Sequence, residues 1–289
     1  MGRFEGKVIF VTGGGSGLGR ECALWWGDEG GTVVVTDLVE KRAFDVAHQI
    51  VDKGGASIGI KVDVGVEAEV ELAVNRTVRE YGRLDILFAN AGRTVEGFGS
   101  IPLEDLSEAQ WDDVNDAVYK GVFFCGKHAA RVMKQHGGGN IVVTTSAGGL
   151  NAYPGFGPYC AGKAGAIGLV RSMAFDWGGY GIRVNGLAPT HGMSANFALP
   201  PDAEVLGLSY EEAALAESGG TWDPMTFPGP LKIGRPPSLR DNAAVATFLA
   251  SDDSAYMSGV VIPSCDGGSF ARTSIAFPET WSLDTEVSQ

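Results

Sequence analysis

The sequence predicts a three-layer α/β/α fold, in which helices cover both faces of a doubly wound, parallel, seven-stranded sheet. Short β-rich runs alternate with longer helical stretches through most of the chain, which is typical of β-α-β units. Several of the short runs are continuously apolar, as expected for strands covered on both faces. A glycine-rich segment between the first strand and the first helix completes a Rossmann-like pattern. We expect one domain over residues 1–289.

The elements follow one another in a regular order. Strands are predicted at 8–11, 32–36, 57–62, 84–89, 141–145, 183–187 and 260–263. Helices are predicted at 18–29, 39–53, 67–81, 108–135, 158–178 and 239–251. Asp or Ser stands near several helix starts and Gly near several ends, and Pro158 suits a first helical turn.

Residues 190–231 interrupt this order and carry five prolines, which is too many for a sheet strand. Because insertions beyond the carboxyl ends of parallel strands lie where ligands bind, we interpret this segment as an apolar lid over the substrate. The alternative is an insertion that packs on the surface or on another subunit. The tail at 269–289 would pack on a neighbour's pocket or on the chain's own lid.

The composition favours a small-molecule partner. A net charge of −13 and a pI near 4.7 argue against binding to nucleic acid or to an anionic membrane, since both repel an acidic protein. The four cysteines are widely scattered and fit neither a disulfide framework nor a zinc site. No apolar run approaches the roughly 18 residues that span a bilayer. We therefore expect a soluble protein of the cytoplasm.

Residues 12–19 (TGGGSGLG) are a candidate phosphate-binding loop, because they follow a predicted strand and open a predicted helix. Glycines allow the tight turn and let the backbone approach a pyrophosphate, whose charge is favoured at a helix N-terminus. The loop residues expected to bind a dinucleotide are Gly13, Ser16, Gly17, Leu18 and Gly19.

Asp37 ends the second predicted strand, roughly 20 residues beyond the loop. A carboxylate at this place binds the adenosine ribose hydroxyls and repels a 2'-phosphate, so NAD is favoured over NADP. Lys41 and Arg42 are the nearby cations that would favour a phosphate, but their helical position favours a solvated face. Ser16 also leaves the loop without an arginine.

Tyr159 and Lys163 are the candidate acid/base pair. Four residues apart on a predicted helix, they project from the same face. A phenol with a pKa of about 10 is a poor base at neutral pH, and a neighbouring cation lowers that pKa. Ser146, thirteen positions before the tyrosine, would hold a substrate oxygen against the pair. Tyr-x-x-x-Lys also occurs by chance as a core tyrosine followed by an exposed lysine.

With these motifs in order, the chain resembles the short-chain dehydrogenase/reductase family over residues 7–268. The motifs that carry the resemblance are 12–19, 63–64, 90–92, Ser146, Tyr159 with Lys163, 185–189 and 266–268. The family's spacing selects Ser146 over Thr144 and Thr145, which we predict to be strand residues.

The resemblance implies roles for further residues and an assembly. Asp63 and Val64 would contact the adenine. Tyr159 and Lys163 would also belong to the cofactor site, where the lysine binds the nicotinamide ribose. Pro189 and Ser194 would border the nicotinamide. The Asn90, Ala91 and Gly92 turn would belong to the cofactor site, with the asparagine bracing the central sheet. The family also assembles into dimers or tetramers, commonly through the helix carrying the tyrosine and its neighbour.

Two departures from the family pattern stand out. Val118 occupies a position where the family usually has an asparagine that supports a water-linked proton relay to the lysine. A main-chain carbonyl at that position would survive the change, and Asn115, one turn earlier, is a candidate substitute. Thr190 replaces the usual glycine after Pro189, which adds a β-branched side chain near the nicotinamide end.

The sequence therefore predicts an NAD-dependent oxidoreductase that interconverts a hydrophobic secondary alcohol and its ketone. The apolar lid favours an alicyclic, aromatic or steroid-like alcohol or a dihydrodiol. The alternative is an NAD-binding homologue that has lost efficient turnover and acts as a structural or sensing partner. Tyr153 and Phe156 would line the pocket or belong to the core. The four histidines are isolated, so no metal site is expected, although His191 would approach the active site or be an ordinary loop residue.

Overall fold

All seven predicted strands join one parallel sheet. The computed structural model describes residues 2–94, 101–153, 155–190 and 238–264. Within these residues the strand order is β3-β2-β1-β4-β5-β6-β7, and every neighbouring pair is parallel. The chain starts in the middle of the sheet, builds outward to β3, and then returns to build outward from β4 in the other direction. The predicted doubly wound fold is confirmed.

The strands are β1 (Val8–Thr12), β2 (Thr32–Asp37), β3 (Ser57–Lys61), β4 (Ile86–Ala89), β5 (Gly139–Thr144), β6 (Ile182–Pro189) and β7 (Val261–Ser264). The helices are α1 (Gly17–Asp28), α2 (Glu40–Asp52), α3 (Glu67–Tyr81), α4 (Glu108–Asn115), α5 (Gly121–Gln135), α6 (Gly157–Gly178) and α7 (Leu239–Ala250). A π-helical turn, Asp116–Lys120, joins α4 to α5.

Alternating strand residues supply the two cores on either side of the sheet. Phe10 and Val34 face a core shared with α3, α5 and α6. Their neighbours Ile9, Val11 and Val33 face a second core shared with α1, α2 and α7. Because both faces are covered, β1 and β4 are apolar at every position except Thr12. The three-layer arrangement leaves the carboxyl edge of the sheet as the place where polar residues gather.

The largest departure from the predicted elements lies within residues 108–135, which were expected to form one helix. Ser107 caps α4 through a capping box with Gln110. In the π-helical turn the amide of Gly121 donates to the carbonyl of Asp116, five residues earlier instead of four. A local change of one residue in hydrogen-bond register leaves the apolar periodicity almost intact, so the sequence pattern did not reveal it.

Two predicted segments lie outside the described residues: the lid at 190–231, apart from Thr190, and the tail at 269–289. Among the helices that the structure describes, none is long and apolar enough to cross a membrane. Cys22, Cys125 and Cys160 are free thiols. The cytoplasmic location and the single-domain organisation stay predictions.

Candidate functional site

The candidate site lies at the carboxyl edge of the sheet, where β1 and β4 are neighbours and the winding direction reverses. In open α/β sheets ligands bind at such switch points. The glycine loop follows β1, and its backbone takes left-handed conformations at Gly13 (φ 60°) and Gly17 (φ 51°). A Cβ added to Gly19 would collide with the carbonyl oxygen of Gly13. These positions therefore require glycine for the loop to close.

The first turn of α1 presents its amide groups to this edge. Ser16 stands at the N-cap, yet its side chain makes no capping hydrogen bond. Leu18 is buried and ties the start of the helix to the core. Uncapped amides and the positive end of the helix dipole together favour an anion here. The loop fits the pyrophosphate of a dinucleotide.

Asp37 ends β2 beside the glycine loop, as predicted. One carboxylate oxygen accepts from the amide of Gly15 (3.0 Å) and the other from the amide of Val39 (2.9 Å). Burial raises the pKa of Asp37, while these backbone donors and the nearby Arg42 act in the opposite direction. Each oxygen keeps further accepting capacity for a ribose hydroxyl.

Arg42 differs from the expectation of a solvated face. Its Cβ lies only 2.5 Å from where a side chain on Gly15 would begin, and the residue is half-buried beside Asp37. Lys41 is exposed and pairs with Asp45, as a solvated helix face would. The sequence could not show which of the two side chains faces the glycine loop, because this depends on how α2 packs against the loop.

Asn90 links the loop to the centre of the sheet. Its side-chain amide donates to the carbonyls of Thr12 (3.2 Å) and Gly13 (3.4 Å). The hydroxyl of Thr12 in turn accepts from the amides of Asn90 (2.9 Å) and Ala91 (3.0 Å). A Cβ added to Gly13 would lie 3.1 Å from the Cα of Ala91. The turn after β4 is thus bonded to the glycine loop, with Gly92 following it.

The other residues predicted to contact the cofactor also lie at this edge, as far as the structure describes them. Asp63 and Val64 lie two and three residues beyond the end of β3, where the Asp63 carboxylate accepts from the amide of Gly65 (2.9 Å). Pro189 is the last residue of β6 and is buried. Ser194 lies outside the described residues.

Ser146, Tyr159 and Lys163 converge as their spacing predicts. Ser146 follows β5, and its side chain hydrogen-bonds to Tyr159. Tyr159 and Lys163 lie on the inner face of α6, and the Lys163 Nζ atom is 5.6 Å from the centre of the tyrosine ring. All three side chains are buried, and Lys163 is only 1% exposed. The chance alternative, with an exposed lysine, is excluded.

The electrostatics of the pair differ from the expected picture. Burial raises the pKa of Tyr159, and the Ser146 hydrogen bond only partly opposes it. Burial also lowers the pKa of Lys163 to about 7. The ammonium donates to the backbone carbonyl of Thr144 (2.7 Å). Desolvation of both groups therefore outweighs the expected attraction between cation and phenolate in this structure.

Thr144 is a residue of this site that the sequence reasoning missed. It was predicted to be a strand residue, and it does end β5. Its hydroxyl also donates to the side-chain oxygen of Asn90 (3.0 Å), and its carbonyl accepts from Lys163. A backbone acceptor leaves no mark in a sequence.

Val118 lies in the π-helical turn, fully buried against the lysine helix. Its two methyl groups lie 3.3 Å and 2.5 Å from where side chains on Gly92 and Gly162 would begin. The Lys163 Nζ atom borders the same face of Gly92, at 3.5 Å. An apolar side chain therefore occupies the space beside the lysine.

Asn115, the candidate substitute for the relay asparagine, also packs against the lysine helix. Its side-chain amide donates to the carbonyl of Trp111 (2.9 Å), and its oxygen lies 2.7 Å from where a side chain on Gly162 would begin. The residue belongs to the contact between α4 and α6 and replaces none of the bonds of Lys163 that the structure describes.

Aromatic residues form one wall of the site. Phe156 packs against the cluster of Val114, Val118 and Tyr159. The ring of Tyr153 meets it edge-on at 5.9 Å and lies 3.2 Å from where a side chain on Gly148 would begin, next to Ser146. Phe156 therefore borders Tyr159, and Tyr153 borders Ser146 across Gly148.

The histidines within the described ranges are remote from this edge or engaged elsewhere. His128 pairs with Glu67 between α5 and α3. No group of three or more histidine, cysteine or acidic residues among the described residues is placed to hold a metal ion. His191 lies outside the described residues.

Comparison with known proteins agrees with this geometry. Residues 7–197 match the family model described as short chain dehydrogenase. The chain is 40% identical to short-chain dehydrogenase reductase 3c of Arabidopsis thaliana, over 92% of this chain and 95% of that protein. It is 35% identical to secoisolariciresinol dehydrogenase of Forsythia intermedia, over 89% and 87% respectively. The crystal structure of levodione reductase superimposes with a TM-score of 0.76 at 29% identity, covering 93% of this chain and all of that one.

The chain therefore belongs to the short-chain dehydrogenase/reductase family. It is an oxidoreductase of the kind that acts on CH–OH groups, and members of the family generally use NAD or NADP.

We expect Gly19→Ala to weaken binding of NADH by more than tenfold, because the added methyl group collides with backbone at Gly13. Titration of the variant with NADH, followed by cofactor fluorescence, measures this. Gly168→Ala on α6 is the matched control, since a Cβ there has nothing within 4 Å. Equal NADH affinity in Gly19→Ala and Gly168→Ala would contradict the assignment of the loop.

Proposed function

We propose that the chain is an NAD-dependent dehydrogenase/reductase that interconverts a hydrophobic secondary alcohol and its ketone. The observation that carries this proposal is the buried hydrogen bond between Ser146 and Tyr159, with Lys163 beside the tyrosine ring. These groups follow β5 and lie on α6, at the same edge as the glycine loop. A hydroxyl acid/base and a dinucleotide site therefore adjoin one another.

In the oxidative direction Tyr159, as phenolate, accepts the proton of the substrate hydroxyl. Ser146 donates a hydrogen bond to the same oxygen as it becomes a carbonyl. When bound, the dinucleotide supplies the hydride acceptor. In the reductive direction the tyrosine returns the proton to the carbonyl oxygen. Both directions require the phenol to change its protonation state inside a buried pocket.

Lys163 makes that change possible at a usable pH. Burial alone makes Tyr159 a weaker acid, so its phenolate needs a nearby positive charge. Lys163 supplies it when protonated, and its ammonium is held by the carbonyl of Thr144. The family relation further suggests that Lys163 binds the nicotinamide ribose. Below a pH of about 7 the lysine is charged in the described structure.

Asp37 supports NAD as the preferred cofactor. Its carboxylate lies at the end of β2, anchored by the amides of Gly15 and Val39. A 2'-phosphate there would meet a negative charge held in place by backbone. Arg42 lies nearby and is the residue that would moderate this repulsion.

A hydrophobic substrate is supported by the walls of the site. Phe156 and Val118 belong to one apolar cluster beside Tyr159, and Leu103 packs against Gly157 at the start of α6. Two relatives, secoisolariciresinol dehydrogenase and levodione reductase, are named after organic substrates, which also supports an organic alcohol or ketone as substrate. We propose an alicyclic, aromatic or steroid-like alcohol, or a dihydrodiol, as substrate.

The central test is formation of NADH from a panel of such alcohols, with NAD and NADP compared in parallel. We expect turnover with NAD, and a loss of more than 100-fold in kcat for Tyr159→Phe, because phenylalanine cannot exchange the proton. NADH affinity should stay within a few-fold of the wild type. Faster turnover with NADP would contradict the assignment of Asp37. Cofactor binding without turnover on any alcohol would instead favour the non-catalytic alternative.

We expect Val118→Asn to raise the rate of alcohol oxidation at neutral pH, by roughly two- to tenfold. Asparagine is smaller than valine and fits the same space, where its amide restores a polar neighbour to Lys163. The pH profile of kcat/KM measures the effect. Val118→Ala is the control, since it opens space without adding a polar group. An unchanged or lower rate in the asparagine variant would reject the idea that the valine weakens proton transfer.

We further propose that the chain assembles into a homo-oligomer through the face formed by α5 and α6. Phe175 on α6 is 89% exposed, and Phe123 on α5 is also exposed. Exposed aromatic residues on adjacent helices favour burial against another copy. The family relation suggests the same helices.

Light scattering should therefore give a mass of two or four times the 30.2 kDa of one chain. Phe175→Asp should shift the protein toward the monomer, because it places a charge in the proposed interface. Leu72→Asp on α3 is the matched control, being 69% exposed on a different face. A monomeric wild-type protein, or equal effects of the two variants, would contradict the proposal.

A further inference from the structure

Thr144 joins two parts of the site that the sequence treats separately. At its side chain, the hydroxyl donates to the oxygen of Asn90 (3.0 Å). At its backbone, the carbonyl accepts from the ammonium of Lys163 (2.7 Å). Asn90 is itself bonded to the carbonyls of Thr12 and Gly13 in the glycine loop. A continuous chain of hydrogen bonds therefore runs from the phosphate-binding loop across three strands to the lysine.

The contacts of Lys163 make its link to Thr144 unusually important. The side chain is 1% exposed, and burial is the dominant influence on its charge. Tyr159, on the same helix, is the titratable group beside it. The turn after β4 contributes Gly92, and the π-helical turn contributes Val118. Neither residue carries a charge, so the Thr144 carbonyl is the polar group that holds the ammonium among the described residues.

We propose that Thr144 is a positioning residue that fixes Lys163 relative to the glycine loop, an inference that rests on the proposed function for its effect on turnover. The hydroxyl holds the end of β5 against Asn90, and the carbonyl of the same residue then holds the ammonium. A residue without the hydroxyl keeps the carbonyl but leaves the partly buried Asn90 oxygen without this donor. The strand end then loses its anchor to the loop.

The test compares three variants. Thr144→Val removes the hydroxyl with little change in shape, and Thr144→Ser restores it. Thr145→Val is the matched control. Its hydroxyl donates to the carbonyl of Leu187 (2.8 Å), it is equally buried, and it is not bonded to Asn90 or Lys163 in the described structure.

The first readout is the titration of Lys163 followed by NMR of ¹³C-labelled lysine, with the signal assigned by its loss in Lys163→Arg. If the Thr144 carbonyl is held less firmly, it stabilises the Lys163 ammonium less. The titration midpoint of Lys163 should therefore fall by about half a pH unit or more in Thr144→Val. Thr144→Ser should titrate as the wild type does, and so should Thr145→Val. An unchanged midpoint in Thr144→Val, or an equal fall in Thr145→Val, would overturn the proposal.

The second readout is the pH profile of kcat/KM for any alcohol that the wild type oxidises. A lysine that loses its charge earlier supports the phenolate less, so the profile of Thr144→Val should move to higher pH, with a loss of roughly tenfold at neutral pH. A profile that keeps its midpoint while the rate falls would mark a merely structural role and overturn the proposal. Failure of the proposed function would appear as absent turnover in the wild type, and the NMR titration would still decide the role of Thr144.

Discussion

The parallel pairing of β1 with both β2 and β4 is the constraint on which the rest of the structure depends. It forces the chain to wind outward in two opposite directions from the same strand. The carboxyl ends of β2 and β4 then flank that of β1, and β5 lies directly beyond. Asp37, the glycine loop and Asn90 occupy this edge because backbone pairing puts their strands side by side. Residues distant in sequence become neighbours through strand pairing, and the hydrogen bonds of Thr12, Asn90 and Thr144 then join them.

Two buried groups with opposing preferences meet at this edge. Removal from water disfavours both the phenolate of Tyr159 and the ammonium of Lys163. When both are charged, each offsets part of the desolvation cost of the other. Two hydrogen bonds offset part of the remaining desolvation cost: one joins Ser146 to Tyr159, and the other runs from Lys163 to the carbonyl of Thr144. Because both groups are buried, the pKa values of this pair depend strongly on the few polar groups around it.

The sequence predicted the fold, the order of its elements and most of the polar residues that the structure describes at the carboxyl edge of the sheet. These predictions rest on local patterns: apolar strand runs, glycines at turns and the four-residue spacing of Tyr159 and Lys163. Regular helix and strand geometry determines where such residues lie. Three features depend on packing between distant elements and on burial. They are the contact of the Thr144 carbonyl with Lys163, the position of the Arg42 side chain beside Asp37 and the raised pKa of Tyr159. Residue types alone indicate neither which backbone carbonyl accepts a hydrogen bond nor how strongly burial shifts a pKa.

The π-helical turn has a consequence for the length of the chain. It contains one residue more than an uninterrupted α-helix would use to cover the same rise. Because each α-helical residue turns the chain by about 100°, loss of a single residue here would rotate α4 relative to α5. Val114 and Val118 would then leave the face that packs on Tyr159. The packing of Val114 and Val118 on Tyr159 thus requires the present number of residues between Ser107 and Gly121. The residues of the turn have this effect on Tyr159 through the geometry of the backbone.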